Sequence, residues 1–333
     1  MKFSLRVIFS LVIATGLVAP SPASAAPNLI EIQARVQDLE TQATTAAEGA
    51  QEAKVQLARL KKTLDSVQQQ ASQQGASVAE LNKSIGAIAA EQYKSGPLSK
   101  SLELLFSSDP AQYLSTAGSL EAVTRQKTID LKKFSVATQR LNATSLTLSD
   151  KLALVKAAEA RFKKQQDIAN AKLAEAEALL KKLTAAERER LAKLNEDEEN
   201  ADQQRSLADA GKYSGLSGRG GAAIKYALEQ IGDKYVFGAD GMTTWDCSGL
   251  TMRAFRTAGV SLPHSSRAQY GYGKAIAKKD LQPGDLVFFG KPISHVAIYL
   301  GPDRMLHAPR KGSQVKIANM NMGKKPYIGA RRL

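Results

Sequence analysis

Two apolar series, each spaced by seven residues, run along the first third of the chain. Leu29, Val36, Ala43, Ala50, Leu57, Leu64, Ala71, Val78 and Ile85 form one; Ile32, Leu39, Ala46, Ala53, Leu60, Val67, Leu81 and Ile88 form the other, broken only by Gln74. Alternating steps of three and four place both on one helical stripe, the pattern of a left-handed coiled coil. Many of these positions are Ala, which lets helices approach closely but buries little area, so the stripe needs a partner. Gly96-Pro97 ends the run, because Pro cannot continue the helical hydrogen-bond ladder. The apolar stretch Leu98–Leu120, with Pro110 inside it, predicts small helices at a tip. A second long helix is expected to return from about Glu121 to Asn200, its stripe marked by Phe134, Leu141, Leu148, Val155, Phe162, Ala169, Ala176 and Leu183. At 1.5 Å per residue the first arm is roughly 100 Å long. A parallel homodimer satisfies the same stripe, but the Gly-Pro break and two arms of similar length favour an antiparallel hairpin over residues 26–205, with its tip around 96–120.

The pattern changes after Glu196-Asp197-Glu198-Glu199. Gly211, Gly215, Gly218, Gly220 and Gly221 predict a flexible linker at 206–220. Residues 221–333 then show short alternating runs with Tyr, Phe, Pro and Gly at intervals, enough chain for one compact α+β core. The predicted architecture is multidomain: a long α-helical antiparallel coiled-coil hairpin followed by a small α+β domain.

The N-terminus bears on compartment. Lys2 and Arg6, the apolar run Val7–Ala19 and the small residues Ala23-Ser24-Ala25 form a signal-peptide pattern over 1–25, so export is expected. The apolar run is short for a membrane span. The formal net charge is +14, and residues 218–333 carry 18 Lys/Arg against 7 Asp/Glu. That imbalance points to an anionic partner. Export argues against nucleic acid and favours anionic wall polymers, and Lys324-Lys325 with Arg331-Arg332 reads as a solvated basic face.

The chain has one cysteine, so it has no internal disulfide. Cys247 lies in Trp245-Asp246-Cys247-Ser248-Gly249-Leu250, ahead of a helical pattern from Ser248 to Ala258. A helix N-terminus stabilises a thiolate, which is the attacking species. Ser294-His295-Val296-Ala297-Ile298-Tyr299 alternates like a strand. Arg304-Met305-Leu306-His307-Ala308 follows through Gly301-Pro302-Asp303 as a hairpin, able to bring His295 and His307 onto one sheet face. His295 would then take the thiol proton and His307 would fix its tautomer. This requires Cys247 beside a groove open to water. Other readings remain: an inert thiol, a zinc site of Cys247, His295 and His307, and Asp246 as a simple helix cap. His264 is assigned to the surface or groove without a catalytic role, and Trp245 to core or groove wall.

Asp246-Cys247-Ser248-Gly249-Leu250, Gly284-Asp285-Leu286-Val287-Phe288-Phe289 and Ser294–Tyr299, in this order, resemble the NlpC-type cysteine peptidases, a papain-like family cutting peptidoglycan stem peptides. The resemblance covers roughly 221–331. It implies Cys247 as nucleophile, His295 as base and His307 as third polar residue. It also places Tyr235 near the oxyanion or substrate, Asp246 and Ser248 at positions that bind the stem peptide's free amine, and Ser266 near the groove. No cofactor or metal is implied. The implied activity is a D,L-endopeptidase acting between D-isoglutamate and a diamino acid such as meso-diaminopimelate. An amidase, a non-enzymatic scaffold and a wall-binding module are the competing classes. The domain plan is similar to that of cell-separation hydrolases, in which the coil is expected to restrain the catalytic cleft or dock on the FtsE–FtsX complex.

Overall fold

The computed structural model describes residues 29–95 and 110–333. Segment 1–25, read from sequence as a signal peptide, and residues 96–109 of the expected tip lie outside the described residues. Helix α1 is Leu29–Ser95, α2 is Pro110–Lys181 and α3 is Ala185–Ala210. Helices α1 and α2 run antiparallel: Arg35 meets Glu175 at 3.3 Å, Arg161 meets Glu52 at 3.1 Å and Lys61 meets Glu159 at 2.9 Å. Rising numbers on one helix pair with falling numbers on the other, which is the hairpin. None of the described helices is long and apolar enough to cross a membrane.

The returning arm departs from expectation at both ends. It begins at Pro110, where a missing N–H costs nothing in the first helical turn, so residues 110–120 belong to the long helix. It also breaks at Lys182–Thr184. There Thr184 accepts from the Glu187 N–H, and the Glu187 carboxylate accepts from the Thr184 N–H at 2.8 Å, a reciprocal capping box that starts α3.

Two of the glycines read as a linker, Gly220 and Gly221, serve close packing. Residues 206–210 finish α3, Gly211–Tyr213 form a 3-10 turn, and Gly218–Leu228 form helix α4. A Cβ on Gly220 would stand 2.8 Å from the Gly284 Cα, and one on Gly221 would collide with the Leu216 backbone. Glycine is required here because two backbones touch, a need unrelated to chain freedom.

Strands β1 (Lys234–Tyr235) and β2 (Thr244–Trp245) pair ahead of helix α5 (Cys247–Thr257), which is followed by the short helix α6 (Ser266–Gln269). A six-stranded antiparallel sheet follows: β3 Lys274–Ile276, β4 Leu286–Phe289, β5 His295–Gly301, β6 Arg304–His307, β7 Lys316–Asn319 and β8 Tyr327–Arg332, in the order β3-β8-β4-β5-β6-β7. Leu286, Phe288, Val296, Ile298 and Leu306 bury one face against α4 and α5 through Ile224, Leu250, Trp245 and Phe255. The other face holds Val287, Phe289, Ala297, Tyr299 and Met305. With both faces covered, β4 and β5 are nearly continuous apolar runs. Trp245 is core, its indole N–H donating to Asp233 at 2.9 Å.

The two parts of the molecule are docked. Along α1, Glu40, Thr44, Glu48 and Glu52 form a polar ridge of step four that faces the C-terminal domain. Around Ala43–Ala53 the helix is therefore covered on one side by α2 and on the other by the domain. Helix α3 grips the domain separately, through Glu199, Asp202 and Ser206 on β7: Lys316 Nζ lies 2.9 and 2.7 Å from the two acids, and the Ile317 N–H donates to Ser206 at 2.9 Å.

Candidate active site

Cys247 is the first residue of α5, as the sequence pattern predicts. Asp246 caps that helix, with Oδ1 accepting from the Gly249 N–H at 2.6 Å. A carboxylate cap of this kind stabilises a helix start by about 1 kcal/mol. The sheet supplies the imidazoles. Ladder pairs Ile298 with Leu306 and Tyr299 with Met305 set the β5–β6 register, which puts His295 and His307 on one face. His295 Nε2 lies 2.8 Å from His307 Nδ1. His295 Nδ1 is buried and carries no hydrogen bond. When Nε2–H donates to His307, Nδ1 keeps its lone pair, the tautomer a base requires. The thiol side of the site lies at the same strand, where the Val296 amide, next to His295, acts on the Cys247 sulfur.

The remaining sequence candidates converge here, together with one residue that sequence reasoning missed. Glu48 of α1 enters the site fully buried. The Cys247 thiol donates to Glu48 Oε1 at 3.2 Å, and the Ser248 hydroxyl donates to the same oxygen at 2.7 Å. The Ser266 N–H and hydroxyl donate to Oε2 at 2.8 and 2.7 Å. Tyr235, 4% exposed, is hydrogen-bonded through its hydroxyl to Thr44, one turn before Glu48. Tyr235, Ser248 and Ser266 are thus all drawn onto the α1 ridge. The signal for Glu48 was a carboxylate among small residues (Ala46-Ala47-Glu48-Gly49-Ala50) lying on the step-four row Glu40, Thr44, Glu48, Glu52.

Two expectations are corrected. The thiol was expected to be acidified by its helix start. Burial, then the charges of Glu48 and Asp246, instead hold it well above its ordinary value. Burial, with the neighbouring His307 and Lys325 charges, keeps His295 well below the usual imidazole range. The resting pair is thiol and neutral imidazole. The groove was expected to be open to water, but Cys247 and His295 are wholly covered, with Glu48 of α1 lying against the thiol.

The basic face is likewise corrected. Arg267 pairs with Glu52, Arg310 with Glu40 at 3.0 Å and Lys324 with Asp38 at 3.0 Å. Arg304 pairs with Asp209 of α3. In each of these contacts the domain gives the base and the helical part the acid. Arg332 is bound to Asp285 at 2.7 Å, and Arg331 stacks on Tyr270 at 4.3 Å. Much of the positive charge read as solvated is answered within the chain. His264, assigned from sequence to the surface or groove, has its Nε2 2.9 and 2.8 Å from the two oxygens of Asp246.

The family model described as NlpC/P60 family matches residues 232–332. The C-terminal part of this chain is an NlpC/P60 domain. A Mycobacterium tuberculosis protein named as a probable endopeptidase is 41% identical over 118 residues, covering 35% of this chain and 30% of that protein. The probable endopeptidase p60 of Listeria monocytogenes is 45% identical over 100 residues, covering 29% of this chain and 20% of its own length. The match therefore spans less than a third of either relative. Among solved structures, the NlpC/p60 domain of the peptidoglycan hydrolase SagA is 31% identical, covering 34% of this chain and 98% of that one, with a TM-score of 0.32. All of these matches cover about a third of this chain, close to the share taken by the C-terminal domain.

Proposed function

We propose that the chain is an exported peptidoglycan hydrolase, a D,L-endopeptidase acting on the D-isoglutamyl–meso-diaminopimelate bond of the stem peptide. In this reading the helical hairpin is a self-inhibiting arm. The observation that carries it is Cys247 at a capped helix start, under a carboxylate delivered by α1, with its sulfur at the amide that follows His295, itself hydrogen-bonded to His307.

The chemistry follows from the groups present. Once α1 withdraws, Glu48 no longer accepts the thiol proton, and His295 Nδ1 takes it. The helix N-terminus and the Val296 amide stabilise the resulting thiolate. The thiolate attacks the scissile carbonyl carbon, and its oxygen becomes an oxyanion within reach of donors such as the Tyr235 hydroxyl. The imidazolium, steadied by His307, protonates the leaving amine as the C–N bond breaks. A water deprotonated by His295 then cleaves the thioester and regenerates the thiol. Ser248 and Ser266, which now bind Glu48, are freed for the substrate. With Glu48 seated, neither attack nor substrate entry is possible.

A wall hydrolase held shut until needed fits a role in cell separation. In this reading a membrane partner such as FtsE–FtsX, bound to the hairpin, draws the arm away, and anionic wall polymers engage the bases this exposes. The test is digestion of purified peptidoglycan by the full chain, by Glu48→Ala, and by Glu48→Ala with Cys247→Ala, with fragment masses read out. D-isoglutamyl fragments from Glu48→Ala, lost with the second substitution, are expected. Fragments cut at the muramoyl–L-alanine bond would make it an amidase, and no fragments would end the hydrolase reading.

A further inference from the structure

The capping group of α5 sets up an electrostatic conflict. Asp246 must carry an oxygen to cap the helix, yet its charge stands one residue from a sulfur that has to become anionic. Asp246 is among the groups that hold the thiol neutral, after burial and Glu48. Its carboxylate is also held by three donors. Oδ1 accepts from the Gly249 N–H at 2.6 Å and Oδ2 from the Gly238 N–H at 2.9 Å. His264 Nε2 bridges both oxygens. The Ser248 hydroxyl oxygen stands 3.1 Å from Oδ1, its one proton given to Glu48 at 2.7 Å.

The imidazole side chain is 18% exposed and the carboxylate 3%. Burial pulls His264 down. The hydrogen bond and charge of Asp246, with Glu48 of α1 and Asp240 behind it, outweigh burial and raise it above the ordinary histidine value. Asp240 is itself answered by Arg253 at 3.5 Å. The sulfur also faces Lys325, the Tyr235 hydroxyl and the Val296 amide. Of these groups, only His264 is in direct contact with the charge on Asp246.

We propose that His264 is a positioning residue that supplies the counter-charge to Asp246, so that Asp246 can cap the helix of Cys247 without opposing ionisation of the thiol. This rests on the reading of Cys247 as nucleophile. The test is independent of peptidoglycan, because it reads the sulfur directly. Cys247 is the chain's only cysteine, so iodoacetamide labelling followed by intact mass reports it alone. The full-length Glu48→Ala chain serves as background, which removes the titration of Glu48 from the profile.

Across pH 5–10, His264→Gln is expected to raise the midpoint of labelling by about one pH unit, a tenfold loss of thiolate at a fixed pH below it. His264→Arg, which keeps a permanent cation, should restore the parent midpoint. Above the pH at which His264 gives up its proton, it should label faster than the parent. An unchanged midpoint in His264→Gln overturns the proposal, as does an arginine variant shifted up like the glutamine one. If His264→Gln does not fold, as judged by its melting curve, the arginine variant decides alone: faster labelling at high pH supports the proposal, and equal or slower labelling overturns it.

Discussion

Removing the Glu48 carboxylate isolates the contact on which the closed state depends. It accepts four hydrogen bonds: from Cys247, from Ser248, and from the amide and hydroxyl of Ser266. Hydrogen bonds to a charged acceptor contribute about 1.5–3 kcal/mol each, while taking the carboxylate out of water costs several kcal/mol. The net contribution to docking is therefore about 2 kcal/mol, which makes Glu48→Ala about 30-fold more open at equilibrium. Alkylation of the single thiol should accelerate by that factor, with the melting temperature of the C-terminal domain unchanged. The pH dependence has a definite sign. Burial, then the charge of Asp246, raises the Glu48 carboxyl above its usual 4.5, so below that raised value the docked form holds a proton that the released form gives up, and above it the docked group is the charged acceptor. Docking is strongest below that ordinary value and weakens as pH rises through the raised one. Wild-type labelling should thus climb more steeply with pH than Glu48→Ala labelling. A folded Glu48→Ala chain that labels no faster than wild type would refute the latch.

The flanking ion pairs give a second handle. Arg267→Glu should open the arm by roughly 1 kcal/mol, Glu52→Arg with Arg267→Glu should close it again, and added salt should open the wild type; protease cleavage of α1 reads all three. His307 is held down to about 3 by burial and by the Lys316 and Lys325 charges. Unfolding below pH 6.5 therefore takes up a proton, and stability is lost as pH falls from about 6.5 towards 3. Each pH unit removes up to about 1.4 kcal/mol per group, so His307→Gln should flatten urea midpoints measured between pH 4 and 6.5. Gly220→Ala drives a methyl into Gly284 and should destabilise the domain by about 1–3 kcal/mol, seen as a lowered melting temperature, whereas Gly215→Ala, in open space, should not.

What the sequence revealed and what it hid divide along a physical line. The hairpin was legible because heptad spacing is a local, repeated signal. Cys247 at a helix start and His295 beside His307 were each legible because a helix start and the parity of a strand pair are also local. The break at Thr184 was written in Thr184-x-x-Glu187, a capping box that the continuing apolar stripe outweighed. The glycines at 218–221 misled because composition cannot tell freedom from contact; only the approach of Gly284 distinguishes them. Glu48 and the Asp246–His264 pair depend on residues 18 to 218 positions apart meeting in space. The sign of the thiol shift followed burial first and the charge of Glu48 second, so a correct argument about the helix N-terminus was overruled by packing and by a carboxylate from another part of the chain.

The row that α3 lays along β7 has its own consequence. The ridge on α1 and this row hold the C-terminal domain through separate sets of residues, so letting go of the first leaves the second intact. Whatever draws α1 off does not set the unit loose; it remains leashed within reach of its own plug. Re-closure is then a first-order event, indifferent to protein concentration and governed by the high effective concentration of a tethered segment. Cutting would persist only while an outside force holds the plug away.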